Sequence, residues 1–327
     1  MNAIVLPSNC PPDRFYEGGS NIRRFRGEPS GGAREPEDWV ASTTTLAGEH
    51  ELGLTVLPDG RRLLDAVAAE PRWWLGDRHI ERFGVDTKLL VKLLDAGQRL
   101  PVHAHPDAGF ARRHLGRAHG KAEAWFMLTG GSVHLGLRES VTKGELLDLV
   151  RSQRTERLLD LLHPVDVAAG DVVFVPPGTL HAIGAGVFLV EVQEPEDLSI
   201  LLEWAGFELN GERDGHLGLG FDVALEAVGR SELDPKTVRS LVKPAGFGAS
   251  VLPARADEYF RMERRRIDGR DDLEPGIAVV VVTAGAATIG DDEPLEVVAG
   301  STVLLPHGIG SILVQGSAEL VICRPPG

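Results

Sequence analysis

The stretch Gly97-Gln98-Arg99-Leu100-Pro101-Val102-His103-Ala104-His105-Pro106-Asp107 decides the reading of this chain. Successive side chains on a strand point to opposite faces, so His103 and His105, two apart, project to the same side. Two further stretches complete a pattern. Glu123 opens the apolar run Ala124-Trp125-Phe126-Met127-Leu128, which ends before Gly130 and reads as a neighbouring strand. Gly170 precedes the strand Asp171-Val172-Val173-Phe174-Val175, and the turn Pro176-Pro177-Gly178-Thr179 then delivers His181. A lone His or an HxH pair is more often packed or solvated than a ligand. Here the glycines and the proline recur at fixed distances from three His and one Glu, which is the spacing by which a small β-barrel collects four ligands around one ion. The predicted metal ligands are His103, His105, Glu123 and His181. Three nitrogens and an oxygen suit one divalent ion, zinc first, with Fe, Mn, Co and Ni also compatible.

These motifs resemble those of the cupins, and their longer context is similar to the class I mannose-6-phosphate (phosphomannose) isomerases. The likeness rests on Leu100 to Asp107, on Gly120-Lys121-Ala122-Glu123-Ala124-Trp125 and on Pro176 to Gly184, and it continues into Glu191-Val192-Gln193 and Asp197. It extends from about Lys88 to the C-terminus, with a weaker echo before. The resemblance implies that His103 (glutamine in the family), His105, Glu123 and His181 hold the metal and that Lys121 and Glu191 line the sugar site. It implies a metal-dependent aldose–ketose isomerase, with mannose 6-phosphate converted to fructose 6-phosphate. The family pattern also places an arginine ten residues beyond the glutamate matched by Glu191, where this chain has Leu201. A leucine can neither move a proton nor contact a phosphate, so the substrate is in question although the scaffold is not.

Isomerisation between C1 and C2 needs a base beside the metal with a pKa near neutrality. Glu191 is the candidate base and Lys121 the candidate electrostatic or phosphate contact; Glu191 as a carboxylate orienting a ligand imidazole is an equal alternative. Asp197 reads as structural. The loop Arg112-Arg113-His114 with Arg117 and His119 is the densest basic segment near the motif, either an ordinary solvated loop or a phosphate-recruiting one. Two other functions fit the same ligands: a cupin dioxygenase using Fe(II), and a metal-containing sugar-binding protein without catalysis.

The C-terminal stretch Gly300-Ser301-Thr302-Val303-Leu304-Leu305-Pro306-His307-Gly308-Ile309-Gly310-Ser311 repeats the spacing around Gly170 to His181, with Ser311 in the ligand position. Ile277 to Val282, before it, is a strand without an HxH pair. The expected fold is therefore mainly β, with two cupin-type barrels: residues 1–215 forming the metal-binding barrel, 216–245 a helical connector and 246–327 a degenerate barrel. A helical insertion is expected at about 140–163, where Thr142-x-x-Glu145 is a capping box and Leu146, Leu147, Val150, Leu158, Leu159 and Leu162 recur at helical spacing. Further helices are expected at Arg61 to Ala69, ahead of the packing pair Trp73-Trp74, and from Asp234 as N-cap through Pro235 to Val242. Residues 1–48 read as a loop-rich lead-in, and Arg264-Arg265-Arg266 as charged surface.

With 327 residues, 43% of them hydrophobic, the chain can fill about two domain cores. A net charge of −14 disfavours nucleic acid as a partner, leaving a small sugar or sugar phosphate. Cys10 and Cys323 form neither a CxxC pattern nor a disulfide framework. No apolar run suits a signal or a membrane helix, and the expected location is the cytoplasm.

Overall fold

The computed structural model describes residues 3–291 and 293–327. They form a mainly β molecule whose sheets are antiparallel throughout. One six-stranded sheet runs in the order Val242–Pro244, Asp171–Val175, Glu123–Met127, Phe188–Gln193, Leu90–Asp95, Glu37–Val40. A five-stranded sheet runs Ile200–Leu201, His103–Ala104, His181–Ile183, Gly131–Leu137, Leu162–Val167. The third sheet holds Ile4–Val5, Thr302–Leu305, Ala278–Ile289, Ile312–Arg324 and Arg261–Leu273, with Leu295–Val298 attached to Ala278–Ile289. The cupin-like spacing is thus realised as sheets meeting face to face. Strand pairing does not close any of them into a barrel among the described residues.

The Val- and Leu-rich strands Leu90–Asp95, Asp171–Val175 and Phe188–Gln193 are buried along nearly their whole length. That is why they read as continuous apolar runs rather than as alternating ones. Glycines of the motif have steric reasons. A side chain on Gly97 would lie 2.2 Å from the Gly18 carbonyl oxygen, and Gly178 has a φ of +80° that lets its N–H donate to the His105 carbonyl at 2.7 Å.

The insertion contains two helices, Lys143–Arg151 and Thr155–Asp160, and its capping box at Thr142 and Glu145 is formed. Leu162, expected on the helical face, instead starts a strand, because the helical period is interrupted after Arg151. Leu146, Val150 and Leu158 pack in a separate core on the outside of the five-stranded sheet, together with Val102, Ile200 and Leu202. The connector helix is Pro235–Leu241, capped by Asp234, and Val242 leaves it to join the six-stranded sheet. The helix expected from Arg61 begins at Leu63, and Trp74 behind it is fully buried.

Residues 1–48 are more than a loop-rich lead-in. Ile4–Val5 pairs with Val303 and Leu304 of the third sheet, Asn21–Arg26 is a helix, and Glu37–Val40 forms the edge strand beside Leu90–Asp95. The weak local periodicity of these short elements hid them; pairing with distant strands stabilises them. Arg264 is also no plain surface residue, since its guanidinium lies between the Phe126 and Phe247 rings. Cys10 and Cys323 are free thiols. We keep the division at residues 215 and 245 as a proposal; the largest core runs from Leu6 to Cys323 across it.

Candidate metal centre and its cavity

Two sheet faces supply the site. On the five-stranded sheet His103 stands directly opposite His181 in register, and Leu201 is opposite His103 on its other side. On the facing sheet, Glu37, Lys92, Glu191 and Glu123 lie on one face of four adjoining strands, with Lys92 and Glu191 paired in register. His105 follows the short strand and turns its ring into the same space.

The donor nitrogens of His103, His105 and His181 lie within 4.8 Å of one another, all buried. Each ring is oriented from behind by a backbone carbonyl: Nδ1 of His103 faces Pro101 O at 2.8 Å, that of His105 faces Leu198 O at 2.7 Å, and that of His181 faces Thr179 O at 2.8 Å. A carbonyl only accepts, so each Nδ1 carries the proton and each Nε2 keeps its lone pair for the centre of the cluster. Glu123 bridges the cluster, with Oε2 3.1 Å from His105 Nε2 and Oε1 3.1 Å from His181 Nε2. The His181 Nε2 atom is buried without a hydrogen-bond partner. Four donors, three of them lone pairs aimed at one point and one anionic, fit a divalent cation.

The electrostatics agree with that donor set. Burial, the neighbouring imidazoles and the Lys121 ammonium disfavour protonation of two of the rings, with His103 well below its ordinary value and His105 lowered to about 4. Burial opposes the charge on Glu123, yet Lys121 and His105 hold its carboxyl well below the usual range. Lys121 donates to Glu123 Oε2 at 2.5 Å and to His105 Nε2 at 2.9 Å, and its ammonium lies 3.6 Å from Glu191 Oε1. Burial first, and the negative charge of Glu123 second, raise the Glu191 carboxyl to about 7, despite Lys92 and Lys121. A carboxyl in that range takes or gives a proton near neutral pH.

These groups line one cavity of about 280 Å³. It brings together His103, Lys121, Glu123 and Glu191, as the sequence reading expected, and adds Arg14, Tyr16, Glu37 and Lys92, which that reading missed. Lys92 had a signal: it is the one charged side chain within Leu89-Leu90-Val91-Lys92-Leu93-Leu94, a run too apolar to face water. Arg14, Tyr16 and Glu37 had none, since they converge only when the N-terminal segment folds over the sheet. Asp197, expected to be structural, both accepts from the Ala47 N–H at 3.1 Å and borders the cavity. The basic loop takes the solvated alternative. Arg112, Arg113 and His114 sit on a helical turn at Ala111–Leu115, and neither they nor Arg117 or His119 line the cavity.

The chain is 27% identical over 316 residues to a mannose-6-phosphate isomerase of Streptococcus mutans, covering 93% of each, and 26% identical over 266 residues to one of Bacillus subtilis, covering 76% of this chain and 79% of the relative. The chain is a relative of the mannose-6-phosphate isomerases. No protein-family model matches it. The crystal structure of the mannose 6-phosphate isomerase from Bacillus subtilis superposes with a TM-score of 0.74 at 22% identity, over 99% of this chain and 100% of that one. A mutant phosphomannose isomerase from Salmonella typhimurium does so with a TM-score of 0.76 at 16% identity, covering 100% of both chains. Those superpositions establish a shared fold. In the C-terminal stretch of this chain that repeats the Gly170 to His181 spacing, Ser311 Oγ donates to the Leu273 carbonyl at 3.1 Å, a backbone tie where the first stretch has His181.

Proposed function

We propose that this chain is a metal-dependent aldose–ketose isomerase of the mannose-6-phosphate isomerase type, with one divalent ion held by His103, His105, Glu123 and His181. The reading is carried by one juxtaposition: Glu191, buried and with a pKa near 7, shares a cavity with His103, whose donor nitrogen clusters with those of His105 and His181. A divalent ion held by these residues would supply positive charge that makes the hydrogen on C2, beside the carbonyl, acidic. Ionised Glu191 then accepts the proton from C2 of the aldose, and the electron pair moves to form an enediolate. The same carboxyl returns that proton to C1, and a second proton passes between the neighbouring oxygens, giving the ketose without net gain or loss of atoms. Lys121, kept charged by Glu123 and Glu191 against the cost of its burial, stabilises the enediolate and stays clear of proton abstraction. An Fe(II) dioxygenase has no use for the Glu191–Lys121 pair, which is why the isomerase reading is preferred.

The test is incubation of zinc-, manganese- and cobalt-loaded protein with aldohexoses and their 6-phosphates, followed by NMR for ketose, with oxygen consumption recorded in parallel. Ketose formation that chelation abolishes supports the proposal. Oxygen uptake without ketose supports the dioxygenase instead.

A further inference from the structure

Every positive charge lining the cavity has a carboxylate within 4 Å. Arg14 lies 3.6 Å from Glu37 and 3.9 Å from Asp197, Lys92 lies 3.6 Å from Glu37, and Lys121 lies 2.5 Å from Glu123 and 3.6 Å from Glu191. Each cation thus already faces a carboxylate, and Asp214, a fifth carboxylate of the lining, is held by Arg213. The position beside His103 where a cation could have reached an anionic substrate is Leu201, and Leu46, Leu94, Leu100, Leu209 and Leu217 continue that apolar wall. The basic residues of the loop before Lys121 are outside. A phosphate dianion is recognised by several charge-assisted donors, commonly a free guanidinium fork. Among the described residues lining the cavity, no guanidinium or ammonium lies without a carboxylate beside it.

What the cavity leaves unsatisfied has a different character. Arg14 Nε and Glu191 Oε1 are buried without hydrogen-bond partners, one a donor and the other an acceptor. A sugar hydroxyl donates and accepts at once and serves both kinds of atom; a phosphate only accepts. The carboxylates of Asp197 and Glu37 repel an anion yet accept readily from hydroxyls.

We infer that the site takes an unphosphorylated aldohexose or its ketose, with Arg14 and Asp197 as hydroxyl-binding residues, and discriminates against the 6-phosphate. This rests on the isomerase reading for its reaction but not for its binding preference. The experiment compares D-mannose with D-mannose 6-phosphate, and D-fructose with its 6-phosphate, on the metal-loaded full chain, by turnover and by the shift in melting temperature. The expected result is a kcat/KM at least tenfold higher for the free sugars and a larger thermal shift with them. Equal or greater kcat/KM for the phosphates overturns the inference while leaving the isomerase intact. If nothing is turned over, the isomerase reading fails and the thermal shifts alone decide: stronger stabilisation by the phosphates refutes the preference. Asp197→Asn removes the charge and keeps an acceptor for the Ala47 N–H, and it is expected to narrow the discrimination at least threefold. An unchanged ratio in that variant would show that the carboxylates do not set it.

Discussion

Glu37→Gln offers the sharpest test of how the cavity is assembled, because one buried carboxylate there holds four neighbours. Its Oε1 accepts from Tyr16 Oη at 2.5 Å and its Oε2 from Trp39 Nε1 at 2.6 Å, while the Arg14 and Lys92 cations each lie 3.6 Å away. Glutamine keeps the shape and one acceptor but removes the carboxylate both buried cations share, leaving Arg14 with Asp197 at 3.9 Å and Lys92 with its strand neighbour Glu191. Breaking a buried ion pair from one side costs about 3 to 5 kcal/mol, and the retained acceptor places this substitution at about 3 kcal/mol. The pH dependence gives the sign. Burial would raise the Glu37 pKa, but Arg14 and Lys92, with the two hydrogen bonds, hold it well below its ordinary 4.5. A group depressed in the folded state contributes stability that is complete above 4.5 and shrinks as pH falls below it, by up to about 1.4 kcal/mol per pH unit. Urea unfolding followed by tryptophan fluorescence, with Trp39 beside the change, should show a wild-type advantage of about 3 kcal/mol at pH 7 that declines below pH 4.5. An advantage below about 1 kcal/mol, or one that does not decline in acid, would refute the reasoning.

Other expectations concern the metal and the base. His105→Ala and His181→Ala should each lose most of the bound metal by elemental analysis, since each removes one of three imidazoles fixed by its own carbonyl. His307→Ala, altering the C-terminal repeat, should keep a full equivalent of metal and unchanged turnover, its folding checked by circular dichroism because the ring packs on Gly76. Glu191→Gln should retain the metal yet lose kcat by about a thousandfold or more, the scale of a general base, as measured by ketose formation. Wild-type kcat/KM should rise with pH along a limb at or below about 7, because the base acts when ionised and a bound cation can only lower the Glu191 value. A limb that is missing from pH 5 to 9 would remove Glu191 from that role.

The cluster of proposed ligands was legible because its members lie on short segments with strict local geometry: a period-two strand for His103 and His105, a Pro-Gly turn for His181 and a strand start for Glu123. The strand Thr302–Leu305 and the turn after it were legible for the same reason. The substrate side of the cavity was not. Arg14, Tyr16 and Glu37 stand far in sequence from Glu191, and only the pairing of Glu37–Val40 with Leu90–Asp95 brings them beside it. Leu162 misled because its spacing continues a helical face although the helix ends at Arg151 and a new one stops at Asp160. Pairing with Leu137 then decides its conformation over propensity.

The most direct measurement is one-dimensional NMR of free and 6-phosphorylated mannose and fructose incubated with metal-loaded protein, before and after chelation. Interconversion of aldose and ketose is expected to stop when the metal is removed, to resume when it is restored, and to be absent from Glu191→Gln at full metal content. A wild-type protein that carries its metal and converts none of these sugars would contradict this expectation.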